Sequence, residues 1–337
     1  VKKKNCIGGF FPLDIPFKYN ANNFFSYLDI NPTNSLFFHN ARSALKYLII
    51  SKKLKTIWLP AYICKEVAEV IRTTKCVVKY YPIKDCSPDI KFLKKHMQQG
   101  ESALAINYFG RLPAKDFLEF VKDRRNITWI EDRAHCLLPS EQIWGDYVIY
   151  SPRKMFGVPD GGIIQGKLSE INFLELNSDR YIEASLSRFE DYYELNNDEW
   201  YSKYKAYEDL MPVGNYKMSR ISLSILSSLN MKKIIEKRIL NYKHLYKELN
   251  GCSLLEEANE NFVPFGFIIK TQERNRLLKH LHNNKIFAST HWQELPVDKK
   301  DFPSEYKLSQ ELITIPCDQR YNSFDMKFIV KTVKGII

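Results

Sequence analysis

Short apolar and β-branched runs recur through the first half of the chain, at 56–59, 76–82, 103–109, 127–131, 146–151 and 162–165. Between the earlier runs lie segments of helix-compatible composition at 42–51, 64–72 and 114–122. Strand and helix alternating in this way build a mainly parallel α/β sheet. The stretch 168–212 changes character: Tyr, Glu, Asp and Asn dominate, strand alternation is absent, and helices and loops are expected. From Met231 to Leu249 the apolar positions Ile235, Ile239, Tyr242, Tyr246 and Leu249 step by four and three. That spacing predicts one long helix with a single apolar stripe, stopped by Gly251. Beyond it, 262–270 and 312–316 read as strands and 272–283 as a helix, a smaller α+β unit. The expected fold class is therefore α/β, with a large domain over 1–230 that opens on an arm (1–20), and a linking helix plus small domain over 231–337. No internal repeat and no Pro- or Gly-rich linker marks the boundary, so the long helix itself joins the two parts.

Composition narrows the classes. The 337 residues are 45% hydrophobic and 26% charged, an ordinary globular balance with length for one large or two moderate domains. No apolar run approaches the roughly 18 residues that span a bilayer. The basic start at Lys2, Lys3 and Lys4 is followed by Gly8, Gly9, Pro12 and Asp14, a poor signal-peptide core, so a cytoplasmic location is expected without membrane insertion. Seven cysteines, an odd number with no CxxC pair, fit reduced thiols rather than a disulfide framework or a zinc ribbon. The net charge of +11 suits an anionic partner. No nucleic-acid motif accompanies it, and lysine spread among Asn and Ile reads as a solvated surface. His280 and His282, two apart on the expected helix, face different ways, and no metal site is indicated.

Candidate chemistry begins at Trp129-Ile130-Glu131-Asp132-Arg133-Ala134-His135, an apolar strand that ends in acids. Ligands of open α/β sheets bind beyond the carboxyl ends of strands, which is where Asp132 falls. A second strand then runs into Ser151-Pro152-Arg153-Lys154, with Gly161-Gly162 after it. A hydroxyl three residues before a strand-end lysine can hold a phosphate while the amine condenses with an aldehyde. A carboxylate opposite a pyridine nitrogen would complete a pyridoxal phosphate (PLP) site, and Asp132 is available for it. Singly, Asp132 reads as a helix cap and Lys154 as a surface lysine; their order is what points to chemistry. Earlier, Asn40-Ala41-Arg42-Ser43 opens a helix whose free N–H groups can receive an anion. GxSxG, P-loop, GxGxxG and HExxH patterns are absent.

These segments resemble, in order, those of the DegT/DnrJ/StrS type of PLP-dependent sugar aminotransferases, within the aspartate aminotransferase fold (fold type I). Asn40 to Leu45 resembles the family's N-G-T-x-A-L, Leu59-Pro60-Ala61-Tyr62 its proline-aromatic turn, and Tyr108-Phe109-Gly110 its YG element. Glu131 to His135 resembles E-D-A-A-H/Q, and Ser151 to Lys154 with Gly161-Gly162 resembles the lysine segment. Gly214 to Ser219 resembles G-x-N-[YF]-[RK]-[ML]-[ST], and His291-Trp292, Leu308 to Pro316 and Arg320-Tyr321 resemble the tail. The departures are Ala41-Arg42 for Gly-Thr, Asn107 where many members carry His, and a Ser–Lys spacing shorter than many members have.

The resemblance implies a mainly parallel, seven-stranded-type sheet and a set of roles. Lys154 bonds the cofactor's aldehyde and moves the proton, Asp132 pairs with the ring nitrogen, and His135 lies near the phenolic oxygen. Ser151 and the backbone around Arg42 and Ser43 hold phosphate. Asn215 reaches the phosphate of the neighbouring subunit, which implies a homodimer with shared sites. The implied activity is amino transfer, with glutamate the expected donor, to a keto group on a nucleotide-linked deoxysugar, as in surface polysaccharide or related sugar biosynthesis. Two alternatives stay open: a PLP-dependent sugar dehydratase, in which His typically replaces the lysine, and a non-catalytic binding or regulatory protein that retains the fold. Tyr62 reads equally as a ring-stacking residue and as core.

Overall fold

Strands and helices follow the predicted alternation closely through the first half of the chain. A computed structural model describes residues 6–9, 11–14, 18–124, 126–177, 179–192, 200–259 and 261–337; residues 1–5, 10 and 15–17 of the expected arm lie outside them. In chain order the strands are β1 (Ile7–Gly8), β2 (Ser35–Phe38), β3 (Thr56–Pro60), β4 (Val77–Tyr81), β5 (Ile83–Lys84), β6 (Ser87–Pro88), β7 (Ser102–Ile106), β8 (Thr128–Asp132), β9 (Tyr147–Tyr150), β10 (Gly162–Gly166), β11 (Phe267–Lys270), β12 (Ile286–Phe287) and β13 (Leu312–Ile315). The helices are α1 (Phe24–Tyr27), α2 (Ala41–Ser51), α3 (Lys65–Arg72), α4 (Ile90–His96), α5 (Lys115–Asp123), α6 (Asp179–Tyr192), α7 (Trp200–Leu210), α8 (Arg220–Ser228), α9 (Met231–Leu249), α10 (Arg274–Asn283), α11 (Pro303–Glu311) and α12 (Ser323–Lys334).

Seven strands form one sheet in the order β2-β10-β9-β8-β7-β3-β4. The pairs β3/β4, β3/β7, β7/β8 and β8/β9 are parallel, whereas β10 runs antiparallel to both β2 and β9. The expected α/β class with a mainly parallel sheet is thus observed. The sheet's interior residues Ile57, Leu59, Leu104, Ile130 and Ile164 share one core with Leu45, Leu48, Ile71 and Phe117 from the flanking helices. Burial on both faces requires strands that are apolar along their whole length, and Ser102–Ile106 is buried throughout. At the start of β10 the chain touches the start of α2. A Cβ on Gly162 would lie 2.0 Å from the carbonyl carbon of Asn40, so only glycine fits there.

The long helix α9 has the predicted bounds but a rotated buried face. Met231, Arg238, Asn241, Tyr242, Leu245 and Leu249 are buried, whereas Ile235, Ile239 and Tyr246 are only half-buried. An apolar stripe overlooks Arg238 and Asn241 because both are charged or polar, yet inside the fold each satisfies backbone carbonyls. Asn241 donates to the carbonyls of Asp318 and Tyr321 at 2.9 and 3.1 Å. Beyond α9, β11 and β13 pair antiparallel, and Ile268 and Ile313 share the core with Met326, Ile329 and Val333 of α12. Strand β1 from the arm does not stay with the first half: it pairs in parallel with β12, Ile7 opposite Ile286. The Gly8 amide also donates to the Tyr321 hydroxyl at 2.8 Å, across 313 residues of chain.

Candidate active site

The carboxyl ends of β7, β8 and β9 converge on one point, as open α/β sheets lead one to expect. Strand alternation turns Glu131 and Asp132 to opposite faces of β8. Glu131 is fully buried and structural: it accepts from Arg133 Nε (2.5 Å), Asn107 Nδ2 (2.8 Å) and the amides of Trp144 and Gly145. Asn107, at the position where the resembled family often has His, is therefore bound to this network. Asp132 faces the other way, half-buried, and accepts from the Ala134 amide at 2.8 Å. Burial pushes its carboxyl above the usual range, and the nearby charge of Lys154 pulls it back.

A short 3-10 turn, Pro152–Lys154, leaves the end of β9 and brings the Lys154 amine to 3.4 Å from His135 Nε2. His135 is clamped against Phe265, ring centroids 4.2 Å apart and interplanar angle 15°, with Trp292 and Phe109 also parallel to it at longer range. Burial, then the charge of Lys154, then His291 hold its imidazole well below the usual histidine range. His291, bonded through Nδ1 to Thr314 Oγ1 at 2.9 Å, is depressed to about 3 for the same first two reasons. Both rings are neutral throughout the physiological range.

Asp132, His135 and Lys154 are thus brought together as expected. Arg42 and Ser43 stand at the start of α2. Asn40 Oδ1 accepts from the Ser43 amide (2.9 Å), and the Ser43 hydroxyl is held between Asn40 Oδ1 (3.1 Å) and the Gly214 amide (3.1 Å). That cap satisfies Ser43 from within the chain, and the parallel bridge of Asn40 with Gly161 engages the Ala41 amide, so the Arg42 amide is the donor that the helix start turns outward. Ser151 is buried and its side chain does not cap the turn it opens. Asn215 is exposed; its backbone carbonyl accepts from the Leu174 amide, and within this chain its side chain makes no described contact with the Lys154 cluster. Tyr62 is fully buried, its phenol donating to the His291 carbonyl and its ring set against Trp292, so it belongs to the wall behind the site.

Four contributors have no signal in local sequence pattern as site residues. Phe265 and Trp292 flank His135. Arg238 donates to the carbonyls of Pro264 (3.1 Å), Phe265 (3.3 Å) and Met155 (3.3 Å), tying the residue after Lys154 to the one stacked on His135. Arg153 reaches α7. An open cleft of about 1400 Å³ leads to Lys154 between α7, α10 and the residues that follow β12. Among the described residues no group of three His, Cys, Asp or Glu could hold a metal, and no helix is long and apolar enough to cross a membrane.

Two buried polar atoms near this cluster lack any hydrogen-bond partner, His135 Nδ1 and Arg42 Nη2. An amine, a carboxyl at a strand end, an unsatisfied imidazole nitrogen and an open helix-start amide fit a ligand that combines an aldehyde, a ring nitrogen and a phosphate, as PLP does.

No protein-family model matches the chain, and no match is found among curated proteins. Solved structures do match. A Streptococcus pneumoniae protein described as a sugar aminotransferase, Spr1654, in its PLP form, has a TM-score of 0.71 at 15% identity, covering 98% of each chain. A DegT DnrJ EryC1 StrS aminotransferase from Brucella abortus has 0.68 at 13%, covering 93% of this chain and 87% of its own. DesI, solved in the presence of its TDP-sugar product, has 0.65 at 14%, covering 96% and 92%. The chain has the fold of these PLP-dependent sugar aminotransferases.

Proposed function

We propose that the protein is a PLP-dependent aminotransferase that moves an amino group from an amino acid, glutamate, to the keto group of a nucleotide-linked deoxysugar. The observation that carries the reading is the Lys154 amine 3.4 Å from His135 Nε2 beside the raised carboxyl of Asp132, at the strand ends of this fold. PLP, when bound, supplies an aldehyde that captures amines and a ring that accepts electrons from the adjacent carbon.

The chain's residues supply the rest. Lys154 would hold the aldehyde carbon, and its amine is placed to take the substrate proton as a base and to return it as an acid. Asp132 keeps a positive charge on the ring nitrogen. His135, held neutral, is free to share a proton with the ring oxygen through its unpartnered Nδ1 or its Nε2. Ser151 and the backbone around Arg42 and Ser43 would hold the phosphate. Phe265, Trp292 and Phe109 exclude water from this layer.

The cleft is wide enough for a nucleotide-linked sugar, and the relative solved with its TDP-sugar product supports that substrate class. The exposed Asn215 supports a homodimer in which it reaches the partner's phosphate. Free cysteines throughout fit a reducing, cytoplasmic setting. We place the boundary between the larger unit and the C-terminal unit at 230/231, where α9 begins.

Incubation with PLP should give a visible absorbance band that shifts on adding glutamate, and borohydride should fix the cofactor on Lys154, located by peptide mapping. Lys154→Ala should abolish the label and lower turnover by at least about 10³-fold. A label on another lysine, or turnover that survives in Lys154→Ala, overturns the assignment.

A further inference from the structure

Arg153 and α7 have no part in the chemistry above, yet they meet at the site. Arg153 donates from Nη1 to the Tyr204 hydroxyl and from Nη2 to Glu208 Oε1, both at 2.9 Å. The Tyr204 hydroxyl donates in turn to the same Glu208 oxygen at 3.4 Å. Tyr204 and Glu208 stand one turn apart on α7 and line the cleft together with Arg153 and Lys154. Arg153 is well covered, 14% exposed, whereas the Glu208 side chain is 44% exposed. This is not a core ion pair but a fixed cation met by a carboxylate that water can reach.

Several cations act on this carboxylate. Burial alone would raise the Glu208 carboxyl, but Arg153, with Lys154 and Arg42, holds it below its ordinary value. Arg42 feels the charges of Arg153 and Glu208 in return, and its Nη2 is buried without a partner. Lys154 is also met by Asp132 and Arg42 by Glu66, so what marks the pocket is its geometry: a buried Arg42 nitrogen without a partner, and an Arg153 that meets Glu208 through one nitrogen only. The segment after α7 is also anchored to the start of α2: Asn40 Nδ2 donates to the Pro212 carbonyl at 2.8 Å and the Gly214 amide to Ser43 Oγ at 3.1 Å. Glu208 is thus delivered to the same end of α2 whose Arg42 amide and side chain are open to an anion.

We propose that Glu208 is an internal stand-in anion: it occupies an oxyanion pocket built from the Arg42 and Arg153 side chains and gives it up to the phosphate dianion of the cofactor. The proposal rests on the PLP reading for the identity of the dianion, though the pocket itself is defined by the two guanidinium groups. A guanidinium satisfies a phosphate with two parallel hydrogen bonds, where the Glu208 contact uses one nitrogen. The exchange therefore replaces a half-exposed, singly bonded carboxylate with a better-matched and more highly charged acceptor. Cofactor entry also detaches α7 from Arg153, so occupancy of the phosphate pocket is coupled to the helix that carries Tyr201 and Tyr204 into the substrate cleft.

The test measures PLP binding by absorbance titration and inorganic phosphate binding by its competition with PLP and by thermal shift. A partly exposed ion pair that must be broken on binding costs about 1 kcal/mol, or about fivefold in affinity. Glu208→Gln and Glu208→Ala should each bind PLP and inorganic phosphate about fivefold more tightly than the unmodified protein. Arg153→Gln should weaken both, and adding Glu208→Gln to Arg153→Gln should recover nothing. If Glu208→Gln and Glu208→Ala, shown folded by circular dichroism, bind both ligands equally or more weakly, Glu208 merely positions Arg153 and the proposal is wrong. Tighter binding of glutamate alone would likewise overturn it, by assigning the pocket to a donor carboxylate. Failure of the PLP reading is seen separately, as the absence of a borohydride-fixed label on Lys154, while the inorganic phosphate arm still decides the pocket.

Discussion

Glu131 and Asp132 are neighbours of the same chemical type, and their substitution should have opposite consequences. Glu131 accepts hydrogen bonds from Arg133, Asn107 and two backbone amides, with neither its side chain nor that of Arg133 exposed. Glu131→Ala leaves the Arg133 guanidinium buried without its carboxylate, held by neutral groups such as the carbonyls of Leu138 and Pro139. Removing one member of a buried pair costs about 3–5 kcal/mol. The stranded amides of Trp144 and Gly145 push the expected loss to the upper end of that range, since each unmet donor costs about 1–3 kcal/mol where water cannot enter. Against a total stability of about 5–15 kcal/mol this is a large fraction. Asp132 behaves in the other sense. Its folded carboxyl binds a proton more tightly than the unfolded one, so its favourable contribution is full below its ordinary value of 3.8 and is lost as pH rises through the raised one. At neutral pH, without cofactor, Asp132→Asn should leave the protein as stable or slightly more so, while turnover falls by about 10²–10³-fold because a negative charge opposite the ring nitrogen is gone. Urea unfolding at pH 7, with and without PLP, and turnover under saturating donor separate the two effects. A stability loss under about 1 kcal/mol for Glu131→Ala, or a larger loss for Asp132→Asn, would refute the division of labour between the two faces of β8.

Arg238→Met should lower stability by about 3 kcal/mol, since it strands the carbonyls of Pro264 and Phe265 and removes the donor to Gln319 Oε1, while the Met155 carbonyl keeps only its bond from Gln319, and should also slow turnover by disturbing both neighbours of the His135–Lys154 contact; urea midpoints and kcat check this, and unchanged kcat would show that the clamp does not reach the site. For Asn215, co-expression of Lys154→Ala with Asn215→Asp should yield mixed dimers in which one site carries both defects and the other neither, so activity returns although each parent is nearly inactive. Folded, associated mixed dimers without recovered activity would place Asn215 outside the partner's site.

Much of the sheet was legible because the strands β3, β7, β8 and β9 are buried, parallel and apolar along their length, and the edge strand β4 and the antiparallel β10 also fall on apolar runs. Strand β2 was not read as a strand: Ser35–Phe38 is four residues at an edge, indistinguishable by pattern from an apolar lead into α2. Helix α12 escaped too, although Asn322 and Asp325 form a capping box ahead of it. At the site, Asp132 and Lys154 were legible since topology alone puts strand-end residues near ligands. Arg153, Glu208 and Arg238 were not, because a charged residue in sequence reads as surface until the fold shows which carbonyl or carboxylate it meets. Phe265 carries no local signal, and Trp292 was legible only as part of the resembled tail: nothing local says that their neighbour is His135.

The pairing of β1 with β12 also sets an order of events in time. The arm is synthesised well before its partners Ile286 and Phe287 and before the Tyr321 hydroxyl that receives the Gly8 amide. A contact across so long a stretch of chain closes late, because the entropy of bringing its ends together is repaid only after both sides have folded. Gly8 and Gly9 line the cleft, and a Cβ on Gly8 would lie 2.0 Å from the Phe287 carbonyl oxygen. The arm is therefore the last wall of the cleft to be set, and a chain whose C-terminal unit has not finished folding has a cleft open on that side.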